Sequence, residues 1–224
     1  MHIPDGFING PTSAGFGLAA AGGLAAAVRQ TSRYLNERQI PLAGLVAAFV
    51  FAAQMVNFPV ISGMSGHLLG GVLAAVLVGP WAGFVILSVV LVVQGVFFAD
   101  GGLSALGLNV INMGLIGAVG GYAIYRVLLR IFPKNHRGLV AAAGIASGLA
   151  VPLSALGFAG QYAIGGASAV SLGAVFIALL GTHLVIGVGE GIITALVIGA
   201  VVQSRPDLVY GAPEYVGFRT EVLA

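Results

Sequence analysis

Apolar runs recur along the whole chain and are broken by short clusters of glycine, proline and asparagine. The pattern predicts seven hydrophobic segments, at roughly 13–35, 41–57, 67–79, 81–98, 107–131, 138–161 and 171–202. The breaks carry turn chemistry: Pro41, Asn57-Phe58-Pro59, Gly79-Pro80, Asp100-Gly101-Gly102, Pro133-Lys134-Asn135 and Gly165-Gly166. Apolar runs of about 18 residues or more read as membrane helices, since about 20 residues cross the hydrocarbon of a bilayer. Strand-like alternation is absent, which argues against an outer-membrane barrel. The expected fold is all-α, a polytopic bundle of seven transmembrane helices forming a single domain over residues 1–224. Within it, residues 1–12 form an amino-terminal segment, 13–202 the bundle and 203–224 a tail.

Composition sharpens this picture. Of 224 residues, 58% are hydrophobic and 7% charged, against about 25% charged in a soluble domain. The chain has no cysteine, which removes disulfides and thiolate metal sites. A net charge of +2 with no basic stripe argues against a nucleic-acid partner. The basic residues cluster at alternate ends of the segments: Arg29, Arg33 and Arg38; Arg126, Arg130, Lys134 and Arg137; Arg205 and Arg219. Seven crossings with the amino terminus outside and the carboxy terminus cytoplasmic place every one of them on the inner side. Met1 and the connections 58–67, 99–106 and 162–170 then share the outer face. Residues 1–12 hold no Lys or Arg, so they do not read as a cleavable signal peptide. G-x-x-x-G spacing at Gly66/Gly70, Gly79/Gly83, Gly117/Gly121, Gly144/Gly148 and Gly187/Gly191 predicts close helix packing, with a face for another membrane subunit as the alternative.

The candidate chemistry begins at the first two residues. A free amine on Met1, the amide nitrogen of His2 and the His2 imidazole would close a five-membered and a six-membered chelate ring around one cation. The ring closure selects Nδ1 of His2. A fourth nitrogen is available at His67, after the glycine-rich stretch Ser62-Gly63-Met64-Ser65-Gly66. The segment from Leu68 to Gly79 spans about 18 Å as a helix, too little for about 30 Å of hydrocarbon. Non-helical backbone must fill the remainder, and it persists only where it lines a cavity or is buried in protein. His67 is therefore expected to start a short helix at the floor of an outward-facing pocket, into which residues 1–12 fold. Pro4 and Pro11 stiffen that segment, Gly6 and Gly10 let it turn, and Asp5 is expected to orient a ligand. Four nitrogens in this arrangement suit Ni(II), Cu(II) or a constrained Co(II) better than tetrahedral zinc.

Other polar residues lie at membrane depth. Glu190 and His183 share a helix face; either they serve metal passage or Glu190 bridges helices through a His or Asn. Asn57, Ser65, Gln54, Gln94, Asn109 and Asn112 either surround the pocket or bond between helices. Gly63-Met64-Ser65-Gly66 also resembles the nucleophile sequence of rhomboid intramembrane proteases, with His183 as base, but that reading leaves Met1, His2 and His67 without a role. No G-x-x-x-x-G-K-[ST] phosphate loop occurs, so the chain itself is not an ATPase.

Three blocks carry a family resemblance. Met1-His2-Ile3-Pro4-Asp5-Gly6-Phe7, the stretch from Phe49 to Gly71 including Ser65-Gly66-His67, and Asp100-Gly101-Gly102 running to Gly114 resemble the CbiM/NikM family. Residues His183 to Glu190 are similar to its late helix. These are substrate-binding subunits of energy-coupling-factor transporters for cobalt and nickel. The resemblance implies a six-helix core plus an added amino-terminal helix, and Met1, His2 and His67 as metal ligands. It implies a membrane coupling subunit of CbiQ type, ATPase subunits of CbiO type and a small CbiN-type helper. It further implies a multi-pass protein of the prokaryotic plasma membrane, carrying Co(II), or alternatively Ni(II), and no organic cofactor. A solitary metal carrier is a competing reading.

Overall fold

A computed structural model describes residues 1–37, 39–61 and 64–210. Arg38 and Arg219, Ser62 and Gly63, and the tail beyond residue 210 lie outside the described residues. Seven helical segments are present among the described residues: α1 (Gly10–Thr31), α2 (Ile40–Gln54), α3 (Gly71–Val78), α4 (Pro80–Phe97), α5 (Leu106–Ile131), α6 (His136–Gly165) and α7 (Leu172–Ser204). Five of them, α1, α4, α5, α6 and α7, are long and apolar enough to cross a membrane. Their starts follow local chemistry: the side chains of Asn9, Asn135 and Ser171 cap α1, α6 and α7, and Pro80 sits in the first turn of α4.

The third segment departs from expectation. His67 does not begin a helix; α3 starts at Gly71 and runs for only eight residues, all of them buried. Gly70, with φ of 72°, turns the chain into α3, and Gly79, with φ of 92°, turns it out again before Pro80. The cause is upstream, where Phe58–Pro59 pairs antiparallel with Ser65–Gly66 and draws the chain into extended backbone. The described residues from Asn57 to Gly70 are thus non-helical, and α3 is enclosed by α4, α5, α6 and α2.

The centre of α5 is wound as a π-helix over Val110–Gly120, a feature the hydrophobic pattern does not announce. It presents Asn109 and Asn112, both fully or almost fully buried, to the amino-terminal segment and to Gln161 of α6 respectively. Helices α6 and α7 pack backbone against backbone, as the glycine spacing predicts: a Cβ on Gly191 would lie 2.8 Å from the carbonyl oxygen of Gly144.

The connections expected to share a face meet at one end of the bundle. His2 N donates to Ser65 O, Gly102 N to Ile3 O, Ala167 N to Phe7 O and Asn9 N to Gly165 O, at 3.3, 2.9, 3.0 and 2.7 Å. The opposite end is closed by Tyr34, whose hydroxyl accepts from Ala82 N at 3.0 Å, and by Tyr210 N, which donates to Val76 O at 2.8 Å.

Candidate metal centre

The amino-terminal segment is not frayed. Met1 and Ile3 are completely buried and His2 is 2% exposed. Burial of Ile3, Phe7 and Ile8 supplies the hydrophobic drive, and Asn109 of α5 fixes the register, its Oδ1 accepting from Ile3 N at 2.9 Å. Phe7 packs on Tyr162 of α6 with ring centroids 4.9 Å apart.

This strap lays the first two residues over the extended segment 65–70. The His2 and His67 rings sit 4.6 Å apart, centroid to centroid, at an interplanar angle of 36°. His67 is fully buried. Its Nδ1 lies 2.7 Å from the Leu68 carbonyl, which can only accept, so Nδ1 carries the hydrogen and Nε2 the lone pair. That Nε2 has no hydrogen-bond partner. On His2 the arrangement is reversed. Nε2 lies 3.5 Å from Asp100 Oδ2, while Nδ1 lies against Gly101, where a Cβ would approach to 2.7 Å. A carboxylate on the Nε2 side favours hydrogen there and leaves Nδ1 as the lone-pair donor.

The floor beneath His67 is built by long-range contacts. Glu190 of α7 accepts from Leu69 N and, at 3.0 Å, from Gly70 N; its Oε1 also accepts from Ser147 of α6. Gln54, the last residue of α2, donates to Leu69 O at 2.6 Å. These bonds satisfy the backbone of the non-helical segment inside the bundle. Glu190 therefore ties α7 to α6 through Ser147 and to the non-helical segment through backbone amides, rather than through the His or Asn side chain expected of it.

The remaining predicted residues divide. Asn57 donates to Asp100 Oδ2 at 3.0 Å and Ser65 Oγ to Asp100 Oδ1 at 3.4 Å, so both support the residue beside His2. Asp5 turns to Ser104, whose amide donates to it at 2.8 Å; the Ser104 hydroxyl, then its amide, hold the Asp5 carboxyl below its usual range. His183 is fully buried on α7, its Nδ1 2.7 Å from Leu179 O and its Nε2 without a hydrogen-bond partner. The sequence singles out Asp100 and Gly101 only as turn residues. The signal for Asp100 is an acid in a connection assigned to the same face as Met1.

Among the described residues no three His, Cys, Asp or Glu side chains are spaced to hold a metal together. The main-chain nitrogens of Met1 and His2 are buried with the two rings.

Known proteins of similar shape and sequence bear on this geometry. The Fused nickel transport protein NikMN of Rhodobacter capsulatus is 36% identical over 220 residues, covering 93% of this chain and 63% of that protein. The Cobalt transport protein CbiM of Geobacter sulfurreducens is 34% identical over 216 residues, covering 93% of this chain and 61% of that one. The crystal structure of a truncated transition metal transporter superimposes with a TM-score of 0.84 at 29% identity, covering 91% of this chain and 99% of that one. The sequence matches the cobalt uptake substrate-specific transmembrane region over residues 2–208, and the chain belongs to that family, CbiM.

Proposed function

We propose that this protein captures a divalent transition-metal ion outside the cell as the substrate-specific subunit of an energy-coupling-factor importer. The ion is held by four nitrogens: the Met1 amine, the His2 amide, His2 Nδ1 and His67 Nε2. The observation that carries this reading is the buried stacking of His2 over His67, 4.6 Å apart, with the first amine and amide sealed beside them. The His2 N–H donates to Ser65 O at 3.3 Å; metal binding replaces that proton, as it does the proton on the amine.

We assign Co(II) as the cargo, in keeping with the family description. Ni(II) is the second reading, favoured by a planar four-nitrogen donor set and by relatives named for nickel transport. The bundle crosses the membrane seven times with the amino terminus outside; Arg29, Arg33, Arg126, Arg130 and Arg205 lie toward the ends of the helices away from the strap. The short α3 crosses together with its extended lead-in. ATP is hydrolysed by CbiO-type partners, transmitted through a CbiQ-type membrane subunit, with a CbiN-type helper.

The test compares the purified chain with a version carrying one extra residue ahead of Met1. The native form should bind Co(II) or Ni(II) stoichiometrically with a square-planar spectrum, and the extended form should lose it. Equal metal content and the same spectrum in both forms would overturn the chelate.

A further inference from the structure

Met1 and the two imidazoles are sealed, so an ion reaching them must first pass another part of the surface. Beside His2 lies a cavity of about 210 Å³, bounded by His2, Asp5, Ser65, Asp100, Gly101 and Gly102. Two of its walls are carboxylates. Asp100 receives its hydrogen bonds from Asn57 and Ser65, and Asp5 from Ser104, all of them neutral donors. Among the described residues neither acid has a Lys or Arg within ion-pair distance. The inner wall is the His2 ring, 2% exposed, whose Nε2 has no hydrogen-bond partner and faces Asp100 at 3.5 Å. Two acids with no Lys or Arg partner, and an imidazole N–H with no hydrogen-bond partner, around one polar cavity describe a place for a cation that arrives with its water.

The spacing says in what form the cation is held. His2, Asp5 and Asp100 are too far apart to ligate one ion directly. A cavity holds one water for about 10–15 Å³ of space open to water, so six waters of hydration fit within this cavity of about 210 Å³. The walls contributed by Gly101 and Gly102 carry no side chains, and a Cβ on Gly102 would fall 2.6 Å from Asp5 Oδ1 and narrow the space.

We propose that this cavity is a loading vestibule that holds a fully hydrated divalent cation through its water shell, between Asp5 and Asp100, before the ion sheds water into the Met1–His2–His67 chelate. The inference rests on the chelate as the destination. The vestibule itself discriminates by charge and hydrated size, and selection by coordination geometry follows at the chelate. Its two carboxylates raise the local concentration of dications and so act on the association rate.

Hexaamminecobalt(III) tests this without the chelate. Its ammines do not exchange, so it mimics a hydrated ion that cannot be ligated by protein nitrogen. The metal-free full chain should broaden the cobalt-59 NMR line of the complex, and the Asp5→Asn/Asp100→Asn variant should leave the line narrow. Stopped-flow association of Ni(II), read by the chelate absorption band, should be slowed competitively by the complex, and should be about tenfold slower in the variant. Asp100→Asn alone retains one acceptor oxygen for its neighbours and the full Asp5 carboxylate, and guards against a folding defect; it should give an intermediate line width. A narrow line with the native chain, or equal broadening by native and doubly substituted chains, would overturn the vestibule. Failure of the chelate itself is recognised separately, by absence of the square-planar spectrum while the cobalt-59 result stands.

Discussion

Glu190 Oε1 lies 3.0 Å from the backbone nitrogen of Gly70, across 120 residues of chain. With the companion bond to Leu69 N, the acid of α7 fixes the backbone two and three residues past His67. Replacing it by alanine leaves two buried amides without an acceptor, at about 1–3 kcal/mol each. Glu190→Ala should lower the thermal midpoint in detergent and weaken metal binding together. Glu190→Gln, which keeps one carbonyl acceptor, should lose less of both. Calorimetry and metal titration of the two variants check this; unchanged affinity in Glu190→Ala would separate the floor from the site.

Gly101 meets two demands at once. Its φ of 92° disfavours any L side chain, and a Cβ would stand 2.7 Å from His2 Nδ1. Gly101→Ala should reduce metal affinity by more than tenfold, at least about 1.4 kcal/mol, by crowding the donor nitrogen. Metal content after dialysis reads the effect.

Asn109 holds the strap by a bond to Ile3 N at 2.9 Å inside the core. Asn109→Ala strands that amide, at about 1–3 kcal/mol, and should speed amide hydrogen exchange across residues 2–8 while exchange within α6 and α7 is little altered. Mass-resolved exchange on the metal-free protein gives the comparison.

Acid should dismantle the site in two stages. The amine and amide must lose protons to bind metal, and burial holds the Met1 amine well below its ordinary value, so affinity falls as pH drops through that lowered value and protons compete for the nitrogens. The docking of the strap responds lower down. The Ser104 hydroxyl and amide depress the Asp5 pKa, so its stabilising contribution is complete above the unfolded value of about 3.9 and is lost as pH falls through the folded one. Metal content should therefore collapse while the near-ultraviolet signal of the Phe7–Tyr162 contact persists. Coincident loss of the two would show that strap and metal release are one event.

The sequence by itself determined where the helical segments lie, because each rests on a local run of apolar residues, but it began the third at 67 where the helix begins at Gly71. It also determined, by covalent connectivity, that the main-chain nitrogens of Met1 and His2 adjoin the His2 ring. The gathering of connections 58–67, 99–106 and 162–170 with Met1 was legible as well, from the alternation of basic residues. What only the tertiary structure decided is non-local. His67 stands outside α3 because Ser65–Gly66 pairs with Phe58–Pro59, and Glu190 meets Leu69 and Gly70 because α6 and α7 pack tightly enough to aim it there. Asp100 reaches His2 because the turn at Ala99, with φ of 51°, and Gly101 wraps the ring. Hydrophobic periodicity records which residues leave water, whereas the partner that a buried polar atom finds depends on packing between segments distant along the chain.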